Sequence, residues 1–184
     1  MELLIIGLII FMAAHLVPTL PAARQSLVSS LGEKKYKAVF SLVSLVGFVL
    51  LVMGKAKAPF VSVYLPPSWG YIATAAIMLP VLILLPAAHM PGNIKRFTRH
   101  PMNWAVVLWA IGHLLANGDQ ASVILFSSFG LYAVYDMWSA NKRGATRQTE
   151  KLPVKKDVII VMAGIVTYGL IRFLHPYLFG VPVG

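Results

Sequence analysis

The sequence predicts an all-α fold, a polytopic membrane helix bundle of about six transmembrane helices with both termini outside. Three observations predict it. Apolar residues make up 58% of the 184 residues and the mean hydropathy is +0.76, more than a soluble domain of this size carries. These residues gather into six runs close to the roughly 20 residues needed to cross hydrocarbon. Lysine and arginine concentrate in alternate loops between the runs, as they do in proteins oriented by the positive-inside rule. A single domain over 1–184 is expected, without internal repeat or low-complexity segment.

The runs lie near 3–22, 37–54, 70–89, 101–117, 121–138 and 157–179. The first follows only Met1 and Glu2, without a basic leader or a small-residue cleavage site, and is read as a retained helix. Pro18 and Pro21 predict a bend or an end within it, because proline offers no N–H to the preceding turn. The fourth and fifth runs are short and separated only by Asn117, Gly118, Asp119 and Gln120, the chemistry of a tight helical hairpin, with Asp119 and Ser122 expected to cap the fifth helix. None of the runs alternates with period two, so a membrane β-barrel is not expected. The polar stretch 141–156 is expected to be the loop before the last helix.

Charge sets the expected orientation. One set of alternate loops holds Arg24, Lys34, Lys35, Lys37, Lys95, Arg96, Arg99, Lys142, Arg143, Arg147, Lys151, Lys155 and Lys156, thirteen cations against Lys55 and Lys57 in the other set, with Arg172 inside the sixth run. The basic loops are therefore expected in the cytoplasm. In a soluble protein a net charge of +10 would point to nucleic acid, but cations placed between apolar runs face phospholipid headgroups instead. The absence of cysteine excludes disulfides, thiolate metal sites and covalently attached haem.

Ionisable groups at membrane depth are costly and mark candidate sites. His15 falls about 20 Å below the outer end of the first run and His113 about 18 Å from the start of the fourth, both well inside the hydrocarbon. Each can serve as a metal ligand or simply bond a backbone carbonyl. Trp109, one turn before His113, can line a flat cofactor or pack between helices. At the start of the fourth run, Thr98-Arg99-His100-Pro101 forms an anion-binding arrangement, with proline at the first helical position, a guanidinium fork, and Lys95 and Arg96 in support. The other reading of Arg99 is an interfacial anchor to lipid phosphate. His100 lies about 20 Å along a helix from His113, so the two cannot ligate one atom. His89 can join His100 at the surface, His175 is expected as an interfacial anchor, and Tyr132, Tyr135 and Asp136 mark a polar patch on the fifth helix.

The string RHPMNWAVVLWAIGHLLANGD at 99–119, with HLVPTLP from His15, resembles the NnrU family of bacterial membrane proteins over nearly the whole chain. That resemblance implies an integral protein of the bacterial cytoplasmic membrane linked to denitrification and nitric oxide metabolism. A related protein, the zeta-carotene isomerase of plants, holds haem b through two histidines that correspond in motif to His15 and His113. The resemblance thus implies noncovalent haem b with His15 and His113 as axial ligands, Trp109 beside it, and Arg99 and His100 on its propionate side. The expected activity is electron transfer, redox sensing or a haem-dependent reaction on an apolar substrate, with lipids and an apolar substrate or electron partner as contacts. Where the isomerase has a further histidine in the next helix, this chain has tyrosines near Tyr132, so polyene isomerisation stands as an alternative. The Arg-His-Pro helix entry is also similar to that of membrane S-adenosylmethionine-dependent methyltransferases, whose paired-acid motif is here reduced to Glu150. A cofactor-free membrane assembly protein is the remaining alternative.

Overall fold

A computed structural model describes residues 1–181. It is helical, as expected, with helices α1 (Glu2–Leu16), α2 (Pro21–Leu31), α3 (Glu33–Lys57), α4 (Gly70–His89), α5 (Ile94–Phe97), α6 (Pro101–Ala116), α7 (Gln120–Lys142) and α8 (Val154–Phe179). Among the described residues the sole β pairing is an isolated bridge between Ser62 and Asp119. The described residues form two compact units, one of residues 1–63 and 119–128, the other of 64–118 and 129–181.

Five helical segments, containing α1, α3, α4, α7 and α8, are long and apolar enough to cross a membrane, and α6 is a shorter apolar helix of 16 residues. The bend or end expected at Pro18 and Pro21 is present, and the fifth run extends beyond 138. The first run does not continue as one helix to 22, because Pro18 withholds an N–H: α1 ends at Leu16, a 3₁₀ turn covers Val17–Thr19, and α2 starts with Pro21 at its first position. Helix α2, expected as loop, has no buried residue and carries Arg24, Gln25 and three serines beside Ala23, Leu27 and Leu31 at helical spacing, the pattern of a helix lying at an interface. The fifth run is not short either, since α7 continues to Lys142 as its polar last turns find partners described below.

In the first unit α1 and α3 run antiparallel with their backbones in contact. A Cβ added at Gly47 would stand 2.7 Å from the Phe11 nitrogen, and Cβ atoms at Gly7 and Gly54 would meet the backbone of Leu51 and Leu4. In lipid no hydrophobic force drives helices together, so this close approach supplies the packing that association requires. A single residue, Gly32 at φ 78°, turns the chain from α2 into α3, a conformation that costs other residues.

The second unit packs α4 against both α6 and α8. Thr74 Oγ lies 2.7 and 2.6 Å from the Gly70 and Gly112 carbonyls, which share its one O–H, and Gly112 makes room for Met78. A Cβ at Gly164 of α8 would stand 2.7 Å from Ile83 Cα, so only a small residue fits there. Helix α6 runs antiparallel to α7, with Ala110 facing Gly130, Trp109 edge-on to Phe129, and Asn103 donating to Asp136 at 2.8 Å. At one end of this unit Asn93 joins the segment before α5 to the start of α8. Its amide donates to the Leu152 carbonyl at 2.8 Å and to Asp157, its oxygen accepts from Leu152 N at 2.9 Å, and its backbone N–H meets Asp157 at 2.6 Å.

Candidate functional site

The two histidines expected at membrane depth belong to different units, His15 to the first and His113 to the second. Each is placed by the last turn of its helix, and the two local arrangements match. His15 Nδ1 lies 2.8 Å from the carbonyl oxygen of Phe11, and His113 Nδ1 lies 2.8 Å from that of Trp109. A carbonyl accepts only, so in both rings Nδ1 carries the proton and the lone pair of the neutral imidazole is on Nε2. In both, an aromatic ring four residues earlier packs on the imidazole: Phe11 is stacked on His15 at 4.0 Å and 22°, and Trp109 is tilted against His113 at 5.0 Å and 51°. Metal-ligating histidines are ordinarily prepared in this way, with one nitrogen tied to a backbone oxygen and the other defined as donor.

Around His15 the first unit adds Phe40 of α3 at 5.2 Å, which in turn lies 6.4 Å from Tyr36. Tyr36, Phe40 and Ser44 follow at intervals of four on one stripe of α3, and the hydroxyls of Tyr36 and Ser44 are buried without a hydrogen-bond partner. Unsatisfied buried hydroxyls are rare in folded proteins and call for an explanation. Position and residue type in the sequence gave no sign of them.

Arg99 and His100 come together at the start of α6, apart from His113. Arg99 Nη1 and His100 Nε2 both lie 3.0 Å from Asn141 Oδ1, and the His100 backbone N–H meets Thr98 Oγ at 3.2 Å. Helix α6 is unbroken from Pro101 to Ala116, which leaves about 18 Å along its axis between Pro101 and His113. His89 is exposed and does not line the hollow around His100, which takes in Ala88 instead. His175 Nδ1 donates to the Val181 carbonyl at 2.7 Å, closing the end of α8. On α7 the polar patch is a network. Asp136 accepts from Asn103 and lies 3.9 Å from Arg143, whose guanidinium also meets Ser139, while Lys142 stands 3.9 Å over the Trp138 ring.

At the start of α7, Asp119 caps the helix as expected, accepting from Ser122 N at 3.0 Å and from Ser122 Oγ at 2.5 Å. It also pairs with Lys55 at 2.9 Å, a contact 64 residues apart that the sequence reading missed. Burial alone would raise its carboxyl, but the Ser122 hydroxyl, Lys55 and the Ser122 N–H together hold it below the ordinary carboxylate value.

Among the described residues no group of three or more His, Asp or Glu side chains is placed to hold a metal ion. A family model described as NnrU protein matches residues 3–183. No curated protein and no solved structure compared with the chain gives a match.

Proposed function

The chain belongs to the NnrU family, and from that premise we propose that it is an integral haem b protein of the bacterial cytoplasmic membrane, serving nitric oxide metabolism and denitrification. The observation that carries the reading is the matched preparation of His15 and His113. Two imidazoles expected at membrane depth, each oriented by an Nδ1 contact to the carbonyl four residues earlier, are the residue types that a bis-histidine haem needs. Neutral rings also suit hydrocarbon better than charged ones. A porphyrin brings its own four nitrogens, so a third protein ligand is not required. The unpartnered Tyr36 and Ser44 hydroxyls beside the His15 aromatic cluster agree with a polar group that completes this region.

When bound, haem would supply one-electron redox chemistry, and its iron would take a small ligand such as nitric oxide only in place of one of the two histidines. The protein's own contribution is to orient both rings through their Nδ1 contacts and to set Phe11, Phe40 and Trp109 beside them. Electron transfer, redox sensing and a reaction on an apolar substrate all fit this chemistry.

The test is an absorbance spectrum of the purified protein. A low-spin Soret band is expected that weakens or shifts in both His15→Ala and His113→Ala and stays unchanged in His100→Ala and His175→Ala. Protein that shows no Soret band after haem supplementation would instead fit a cofactor-free assembly role. A wild-type spectrum and stoichiometry in both histidine variants would end the ligand assignment.

A further inference from the structure

At one end of the second unit, the segment leading into α6 and the loop after α7 enclose an open hollow of about 460 Å³. Lys95, Arg99 and His100 line it with Asn103, Thr146 and Gln148, and none of its lining residues is acidic. Among the described residues four basic side chains stand beside carboxylates, Arg24 and Lys37 at Glu33, Lys55 at Asp119 and Arg143 at Asp136, and no such pair reaches this hollow. Arg99 and His100 converge on one neutral oxygen, Asn141 Oδ1, at 3.0 Å each. That contact sets a guanidinium and an imidazole side by side on an oxygen that carries no charge. The α6 terminus adds to the same wall, since Met102 and Asn103 are first-turn residues whose N–H groups have no partner within the helix.

We infer that this hollow binds a phosphate group, held by Arg99, His100 and Lys95 at the start of α6. A guanidinium fork, an ammonium point charge and a helix end together suit the several oxygens and higher charge of a phosphate. Two sources carry that chemistry, the headgroup of an anionic phospholipid and a soluble phosphate compound. The surroundings favour the headgroup: Phe97 is 77% exposed and Trp104 44% exposed next to the cationic residues, an aromatic and basic pairing that belongs at a membrane surface. The inference does not depend on haem.

The full chain in detergent is titrated with short-chain phosphatidylglycerol and, separately, with pyrophosphate, and bound probe is read by native mass spectrometry. Arg99→Ala and Lys95→Ala are expected to weaken binding of one probe about tenfold, the effect of losing a charge-assisted hydrogen bond. Arg99→Lys, which keeps the charge and loses the fork, is expected between wild type and Arg99→Ala. Lys151→Ala, an exposed cation outside the hollow, is the control and should change neither probe. Loss confined to phosphatidylglycerol identifies a lipid headgroup site, and loss for pyrophosphate with competition against the lipid identifies a soluble phosphate ligand. Equal binding of both probes by Arg99→Ala, Lys95→Ala and Lys151→Ala overturns the inference. So does an Arg99→Ala protein that loses haem while binding both probes normally, because the cluster would then hold the cofactor's carboxylates.

Discussion

Removing the charge of Asp119 tests the first unit and the start of α7 together. The carboxylate has two separable jobs, capping α7 through Ser122 and pairing with Lys55 at 2.9 Å. Asp119→Asn retains a good cap residue and removes the pair, whereas Asp119→Ala removes both. A cap is worth about 1 kcal/mol. A charge-assisted hydrogen bond is worth roughly 1.5–3 kcal/mol when shielded, but the Lys55 side chain is 33% exposed, and screening brings the pair to about 1 kcal/mol. Asp119→Asn should therefore cost about 1 kcal/mol and Asp119→Ala about 2 kcal/mol, with a coupling of about 1 kcal/mol between Lys55→Met and Asp119→Asn in a double-mutant cycle. The sign of the pH dependence follows from the lowered carboxyl. The pair's contribution is complete above the ordinary value of 3.8 and disappears as pH falls through the folded-state value beneath it. Denaturant unfolding in mixed micelles, followed by circular dichroism at neutral pH and at successively lower pH, measures both quantities. An Asp119→Asn protein as stable as wild type at neutral pH, or a coupling that grows on acidification, would refute the reasoning.

Other expectations concern packing, loops and orientation. Gly54→Ala should cost about 1–3 kcal/mol by forcing α1 and α3 apart, while Gly169→Ala, with nothing within 4 Å of the added carbon, should be neutral or slightly stabilising in the same unfolding assay. Asn93→Ala removes the bonds to Leu152 and the side-chain bond to Asp157, and limited proteolysis should cut the 143–153 loop faster than in wild type. Tags at either terminus should be accessible from outside and a tag near Arg147 only from the cytoplasm, and a cytoplasmic C-terminus would remove the orientation drawn from the basic loops.

Hydropathy made most of the helices legible because the bilayer asks for one property, length of apolar chain. Helix α2 was invisible to that measure, since Arg24, Gln25 and Ser26 dilute an amphipathic pattern only three turns long. The break in the first run was foretold by Pro18, and the Asp119 cap by its place before Ser122, both local effects. Contacts across the chain were not legible: nothing near Lys55 points to Asp119, and nothing near Asn93 points to Asp157. Within the candidate site, Trp109 was read beside His113 from its spacing, yet Phe11 stands at the same spacing from His15 and went unnoticed. Hydroxyls such as Tyr36 and Ser44 look like ordinary helix residues until packing shuts them from water.

Helix α6 has a consequence for the surrounding bilayer. Its 16 residues rise about 24 Å, some 6 Å less than a typical hydrocarbon core, and polar residues bound it at both ends, His100 before it and Asn117 after it. Ile111 and Trp104 stay exposed along its length, so acyl chains would meet this short helix directly where it crosses the bilayer. Hydrophobic mismatch then draws the lipid surface inward beside α6, a dimple that shorter acyl chains fill at less elastic cost. A protein with one short spanning helix should partition toward thin bilayers, and its stability should fall as reconstituted chain length increases.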